Sequence, residues 1–424
     1  MNYFNFADGI VKSKYLSRET GRPVFVRLDG CDVFTEPGTL QAKRKLQTES
    51  SIVTEPCFQC TDYDDNVFFF STASGKVWKR TSGGVYSLVH TNANGAHYNA
   101  SYSDVHNVVA YCTATKFGIY DFATWNDNVG TFKYGTGTHP IIEKSRRIFI
   151  GDGNVTASYE KASLLSPTPG VATWQENAID IYTAQQVASL ADDFDTVIIG
   201  GRGKSKCQAY VWNTRAQSWT NDDAFYEKNM IYLRADNINY ILAGTKVYYS
   251  DGNRVNIFND YGITMPTTQQ KTLLLNGKPY FASGKDVYTL HKESINRSVA
   301  VVKEYTAQND IVSLGYFGDS IIISTTAGIE KEGTTLSPIV VESGIDKGID
   351  IKLYYEDLKG ATVALETRVN GMSWVSTPVI DDTTDNKIVL ESGIPTAQKI
   401  RDLQVRWTIT PSTQSPIIYG FTIT

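Results

Sequence analysis

The chain has 424 residues, with 40 Lys plus Arg, 45 Asp plus Glu, 5 His, 5 Cys, 25 Tyr, 18 Phe and 7 Trp. A fifth of the residues are charged and two fifths are hydrophobic, which excludes a disordered chain. The formal net charge of −5 gives no general attraction for DNA, RNA or anionic lipid.

The opening, Met1-Asn2-Tyr3-Phe4-Asn5-Phe6-Ala7-Asp8, has neither a basic nor an apolar signal region, so no secretory signal is expected. No stretch reaches the roughly 18 apolar residues of a membrane span. Cys31, Cys57, Cys60, Cys112 and Cys207 are odd in number and scattered, so a disulfide framework is not expected and a reducing compartment fits.

Aromatic and β-branched residues come in short bursts, a pattern that suits pleated, half-buried strands. Asn94-Gly95, Asp152-Gly153, Asp251-Gly252, Asn276-Gly277 and Asn370-Gly371 punctuate them as hairpin turns. Thr39–Glu49 and Tyr182–Asp192 contain helix formers. Neither has the length or apolar stripe of a packed helix.

One motif occurs seven times: an apolar burst, a turn, then a second burst. The bursts start at Val67, Val108, Ile148, Val197, Tyr240, Tyr280 and Ile321, with gaps of 41, 40, 49, 43, 40 and 41 residues. That spacing predicts an all-β fold, a β-propeller of about seven four-stranded blades. A strand covered on both faces by neighbouring blades should read as a continuous apolar run, as these do. Stacked sandwiches of hairpins are the alternative. One unit, Gly200-Gly201 followed by Trp212-Asn213 and Trp219, resembles a kelch blade. The others do not, and no Gly-His or Trp-Asp pairs mark blade ends.

From about Ile345 the pattern changes to strict alternation. Ile349, Ile351, Leu353 and Tyr355, then Val363 and Leu365, then Leu403, Val405, Trp407 and Ile409 sit at every second position. This predicts a small antiparallel sandwich with one wet face. The expected division is an extended arm over 1–50, a propeller over 51–344 and a sandwich over 345–424.

Motifs for chemistry are weak. Gly200-Gly201-Arg202-Gly203-Lys204-Ser205 suggests a phosphate loop, but Ile198 stands where the first glycine belongs and a strand follows. Cys57-Phe58-Gln59-Cys60 has half-zinc spacing without a second pair, and in a strand its thiols face opposite ways. His90, His97, His106, His139 and His291 form no metal-binding spacing. Ser250-Asp251-Gly252-Asn253 does not fit the turn repeated in sialidase-type propellers. Lys43-Arg44-Lys45 and Lys144-Ser145-Arg146-Arg147 read as solvated turns or interface charges. No catalytic, cofactor-binding or metal residue is therefore assigned, and no enzyme activity is expected.

Val24-Phe25-Val26-Arg27-Leu28-Asp29-Gly30-Cys31-Asp32-Val33-Phe34, leading to Glu36-Pro37-Gly38-Thr39-Leu40, resembles the start of structural tail proteins of tailed bacteriophages. Arg368-Val369-Asn370-Gly371-Met372-Ser373-Trp374, Leu403-Gln404-Val405-Arg406-Trp407 and Ser415-Pro416-Ile417-Ile418-Tyr419-Gly420 resemble their closing sandwich. The resemblance implies a tail hub or nozzle: a homo-oligomeric ring, usually of six copies, that extends the tail, holds fibres or spikes and conducts DNA without binding it. Its partners would be other tail proteins such as the adaptor, and its location the virion, after assembly in the host cytoplasm. A carbohydrate-binding or glycan-cleaving propeller and an intracellular kelch-like adaptor are the alternatives.

Overall fold

The computed structural model of the chain describes residues 2–4, 24–33, 39–162, 171–181, 185–193, 195–216, 218–225, 227–235, 238–250, 255–292, 299–345, 350–369, 371–376, 387–391 and 403–423. They form seven four-stranded antiparallel blades and a two-sheet sandwich.

Blade 1 runs through Cys57–Thr61, Val67–Ser71, Lys76–Arg80 and Tyr86–Thr91, and blade 2 through His97–Ser103, Val108–Thr113, Lys116–Tyr120 and Trp125–Thr131. Blade 3 comprises Ile141–Lys144, Arg147–Asp152, Val155–Glu160 and Thr173–Asp180, and blade 4 Gln186–Asp193, Thr196–Arg202, Cys207–Asn213 and Ser218–Phe225. Blade 5 comprises Met230–Ala235, Ile238–Ala243, Lys246–Ser250 and Val255–Asp260, and blade 6 Thr272–Leu275, Lys278–Ser283, Asp286–Lys292 and Val299–Thr306. Blade 7 takes Ile311–Phe317, Ser320–Thr325 and Gly328–Leu336 from one place in the chain and its outermost strand, Arg44–Ser50, from another. The first strand of each blade is innermost. These seven strands neighbour one another in order, and the seventh returns to the first. Six blades are separate sheets, whereas blade 6 shares a nine-stranded sheet with the sandwich.

The apolar bursts are the second strands. Val67-Phe68-Phe69-Phe70 is buried throughout because successive side chains enter different gaps. Phe69 packs with Ile322 and Ile329 of blade 7, while Phe68 and Phe70 pack with Val109 and Tyr111 of blade 2. Each of the seven gaps between blades holds one such cluster. Burial of each large apolar side chain stabilises by roughly 1.5–3 kcal/mol.

The sandwich has its own core, centred on Trp407, Phe421, Leu353 and Val405. One sheet orders Asn2–Phe4, Ile417–Ile423, Asp350–Asp357 and Lys387–Glu391. The other orders Val24–Asp29, Ile339–Ile345, Leu403–Thr410, Thr362–Val369 and Val375–Ser376. Strict alternation along Leu403–Thr410 gives strict alternation of burial. Ile349 and Asn370 lie outside the described residues.

The segment expected as an extended arm is instead shared between both bodies. Asn2–Phe4 and Val24–Asp29 enter the sandwich, and Arg44–Ser50 closes blade 7. The two segments with helix formers are strands here: Arg44–Ser50 occupies an open blade edge, and Gln186–Asp193 is the innermost strand of blade 4. The sandwich sheet also begins earlier than the alternation suggests, at Ile339.

Propeller and sandwich meet at Gly30. Its amide donates to the Lys303 carbonyl at 3.0 Å, and its φ of +70° is a left-handed conformation that favours glycine. A Cβ there would stand 2.4 Å from the Pro338 oxygen. Beside it, Asp29 pairs with Lys303 at 3.1 Å.

Candidate functional site

Two concave regions lie on the propeller. The first is the central channel, lined by all seven innermost strands. The link between blades 5 and 6 crosses it as a short 3₁₀ turn, Gln269–Lys271. Gln269 Nε2 donates to the carbonyls of Ile141 and Leu190 at 3.3 and 3.1 Å, and Gln270 Nε2 donates to Ala100 O at 2.9 Å and to Asn99 Oδ1. Innermost strands have no neighbour on the channel side, so these amides satisfy backbone carbonyls of blades 2, 3 and 4. The turn contributes to the wall of a cavity of about 620 Å³.

The other lining residues include the C-terminal ends of the innermost strands and their hairpins. Asp62, Asp65, Asp104 and Asp192 stand there with Tyr63, Tyr102, Tyr316 and Arg234. Asp62 shapes its hairpin by accepting from the Asp64 and Asn66 amides at 2.9 and 2.8 Å. Asp192 is paired with Lys144 at 3.6 Å. Among the described residues no lysine or arginine pairs with Asp62, Asp65 or Asp104. Burial, then the field of Asp104, pushes the Tyr102 and Tyr316 hydroxyls up.

The second region is a cleft of about 670 Å³ by the hairpins of blades 5, 6 and 7. Under it lies an ionic cluster where the segment after Gly30 meets the propeller. Glu304 is fully buried, with Lys278 Nζ at 3.2 Å, Lys43 Nζ at 3.3 Å and the Tyr280 hydroxyl at 3.3 Å. Lys278 also reaches Asp32 at 2.6 Å, and the Tyr305 hydroxyl donates to Glu332. Burial pushes the Glu304 carboxyl up, and the two ammonium groups pull it back. Burial works against the Lys43 charge, but Glu304, Asp32 and Glu332 outweigh it and hold its pKa above the ordinary value. The charges satisfy one another, so the cluster fastens Asp32 and Lys43 to blades 6 and 7. Asp32 and Lys43 lie more than two hundred residues before Lys278, Tyr280 and Glu304, so the cluster gives no local signal in the sequence.

The residues singled out by motif are dispersed. Gly200–Ser205 spans the end of one strand and the following turn; the Gly203 amide is already donated to the Lys228 carbonyl at 3.0 Å, so it is not free to cradle a phosphate. Cys57 packs in the gap between blades 7 and 1, and Cys60 in the gap between blades 1 and 2. Burial pushes both thiols up, and that of Cys207 to about 12. His90 contacts Asp127 at 2.9 Å and stacks on Trp125, with ring centroids 4.5 Å apart. His97 and His139 are buried, each with a ring nitrogen on a backbone carbonyl. His106 is buried against Tyr159, and the His291 side chain is outside the described residues. Lys144 pairs with Asp192, and Arg146 and Arg147 pair with Glu160. Trp212 and Trp219 are cross-strand partners in blade 4. Positions 251–253 lie outside the described residues. Among the described residues no three His, Cys, Asp or Glu side chains gather to hold a metal, and no helix is long and apolar enough to cross a membrane.

The fold and this channel define a β-propeller protein. No family model and no curated protein matches the sequence. Among solved structures, the chain is similar to a propeller in a mitotic checkpoint complex (TM-score 0.52, 10% identity, 68% of this chain and 93% of that one). It is also similar to a catalytically inactive virginiamycin B lyase from Staphylococcus aureus with quinupristin (0.51, 11%, 68% and 98%). A streptogramin B lyase follows (0.50, 10%, 70% and 98%). At such identities the likeness is one of fold alone.

Proposed function

We propose that this chain is a structural component of a bacteriophage tail, of the hub or nozzle kind, that acts without catalysis and assembles as a ring with other tail proteins in the virion. The observation that supports this reading is the layout. One N-terminal segment threads a terminal sandwich and then closes a seven-bladed propeller, so that the two bodies share a sheet and a buried ionic cluster. A part that transmits force between neighbours needs such a junction. The resemblance of Val24–Phe34, Glu36–Leu40, Arg368–Trp374, Leu403–Trp407 and Ser415–Gly420 to tail proteins points the same way.

In this reading DNA passes between protomers, around the ring axis, because a turn crosses the propeller's own channel. Native mass spectrometry and negative-stain images of the purified chain, alone and with candidate tail partners, test it. Rings or co-assemblies are expected; monomers under all conditions would overturn it.

A further inference from the structure

We propose that the propeller face opposite the channel mouth binds a single-stranded polynucleotide, its phosphates on a cluster of cations and its bases on two exposed tyrosines. The cations come from the glycine-rich motif at 200–205 and its surroundings. That hairpin of blade 4 presents Arg202, Lys204 and Lys206, and the link to blade 5 adds Lys228, all exposed. The two loops are tied together. The Gly203 amide donates to the Lys228 carbonyl at 3.0 Å, and Gln185 Nε2 donates to the Lys206 carbonyl at 3.1 Å.

Like charges crowded on adjoining loops repel one another unless counter-charges stand between them. Among the described residues, none of these four cations pairs with a carboxylate. The carboxylates at this end of blades 3 and 4 have other partners. Glu227 Oε1 takes Lys246 Nζ and the Tyr248 hydroxyl, each at 2.8 Å. Asp152 is fully buried and accepts the Tyr134 and Thr136 amides at 2.7 and 3.1 Å, and Asp180 accepts from Asn177 at 3.2 Å. At the mouth end of blade 3, by contrast, Lys144, Arg146 and Arg147 pair with Asp192 and Glu160. The local field at Lys204 is therefore positive in a chain of net charge −5.

Exposed rings continue this surface toward blades 3 and 2. Tyr134, in the link between those blades, is 45% exposed, with Lys133 Nζ 5.2 Å from its ring centre. Tyr98, near the start of the innermost strand of blade 2, is 41% exposed beside the His139 ring. Contacts run from Tyr134 to the cations. A Cβ on Gly153 would stand 3.0 Å from the Tyr134 ring, and the Val187 amide donates to the Gly153 carbonyl at 2.7 Å. Val187 in turn pairs across blade 4 with Gly201, next to Arg202. Cations alone hold any polyanion. Cations interleaved with exposed rings select a strand whose bases are free to stack.

Fluorescence anisotropy of a labelled oligothymidylate of about twenty nucleotides with the full chain tests this, with the matching duplex and polyglutamate as further arms. Saturable binding of the single strand is expected, weakening at least tenfold from low to high salt. The double variant Lys204→Glu/Lys206→Glu should lose tenfold or more in affinity with an unchanged melting curve, since both side chains are exposed. Arg44→Glu/Lys45→Glu makes the same change of net charge on the outermost strand of blade 7 and should bind as the parent does. Tyr134→Ala should lose about fivefold, the share of one stacked base. No binding, an undiminished lysine or tyrosine variant, or an equal loss in the Arg44/Lys45 variant would overturn the proposal. Duplex or polyglutamate binding as tight as the single strand would also overturn it, the latter in favour of an acidic protein surface such as the channel mouth of a second copy. Strand binding needs no ring, so its failure is distinct from failure of tail assembly.

Discussion

The propeller and the sandwich solve one problem in two ways. In the propeller a sheet is covered on both faces by its neighbours, so its second strands carry continuous apolar runs. Val67–Ser71 and Val108–Thr113 are buried throughout. In the sandwich each sheet is covered on one face, so Leu403–Thr410 alternates. The sequence period therefore reports how many faces are covered, before any strand order is known. The two bodies also depend on one segment, residues 24–50, for the completion of a sheet.

The sharpest way to break that comparison is to unpack one body and ask whether the other follows. Trp407 is 1% exposed at the centre of the sandwich core. Trp407→Ala should cost about 4 kcal/mol. The shared sheet and the Asp29–Lys303 pair predict a single, lowered transition in calorimetry. Two separated transitions would show bodies that unfold independently.

Blade closure gives the next largest effect. Glu49 on the closing strand lies 2.8 Å from Arg80 of blade 1 and 3.0 Å from Lys331 of blade 7. Arg80 is almost wholly buried and stacks over Phe317, 3.7 Å from the ring centre. Glu49→Ala leaves that guanidinium without its carboxylate, so a loss of about 3 kcal/mol is expected. Hydrogen exchange should rise first in 44–50 and 328–336. Uniform exchange across all blades would mean that the ring does not open there.

A third effect is confined to the gaps between blades. His97 is buried with Nδ1 3.2 Å from the Ser71 carbonyl, and burial lowers its pKa to about 4. The folded state thus resists a proton that the unfolded chain takes near pH 6.5. Its contribution is complete above pH 6.5 and is lost as pH falls toward 4. Between pH 6.5 and 5 that is about 2 kcal/mol. Denaturant midpoints of the parent should fall over this window, and those of His97→Asn should fall less. Equal slopes would remove His97 from the acid response.

Much of this architecture was legible. All seven second strands and the main sandwich strands follow from the apolar pattern, because that pattern records burial directly. The N-terminal segment was not. Thr39–Glu49 has good helix formers, yet the Gly328–Leu336 edge requires a partner strand and Arg44–Ser50 supplies it. Tyr182–Asp192 also contains helix formers, among them Gln185, Gln186, Ala188, Leu190 and Ala191, yet Gln186–Asp193 is a strand. Small residues fit where seven strands converge on the channel. The channel wall was hidden for another reason. Thr267-Thr268-Gln269-Gln270-Lys271 reads as an ordinary polar link, and its acceptors belong to three blades distant in sequence.

The smallest predicted effect tests the two-face rule from its exposed side. Outermost blade strands should revert toward polar tolerance, because beyond them the wedge between blades opens to solvent. Leu88 on the outermost strand of blade 1 is 54% exposed, and Phe69 on the second strand is fully buried. Leu88→Ser should therefore shift stability by no more than about 0.5 kcal/mol, whereas Phe69→Ala should cost several times that. Chemical denaturation of both variants gives the ratio. If Leu88→Ser proved as costly as the core change, the outer face of blade 1 would be covered in the folded protein. The ring reading offers a specific cover, a second copy of the chain. The same pair of variants, compared at low and high protein concentration, would then separate intrinsic stability from assembly: only a loss due to a subunit contact shrinks on dilution.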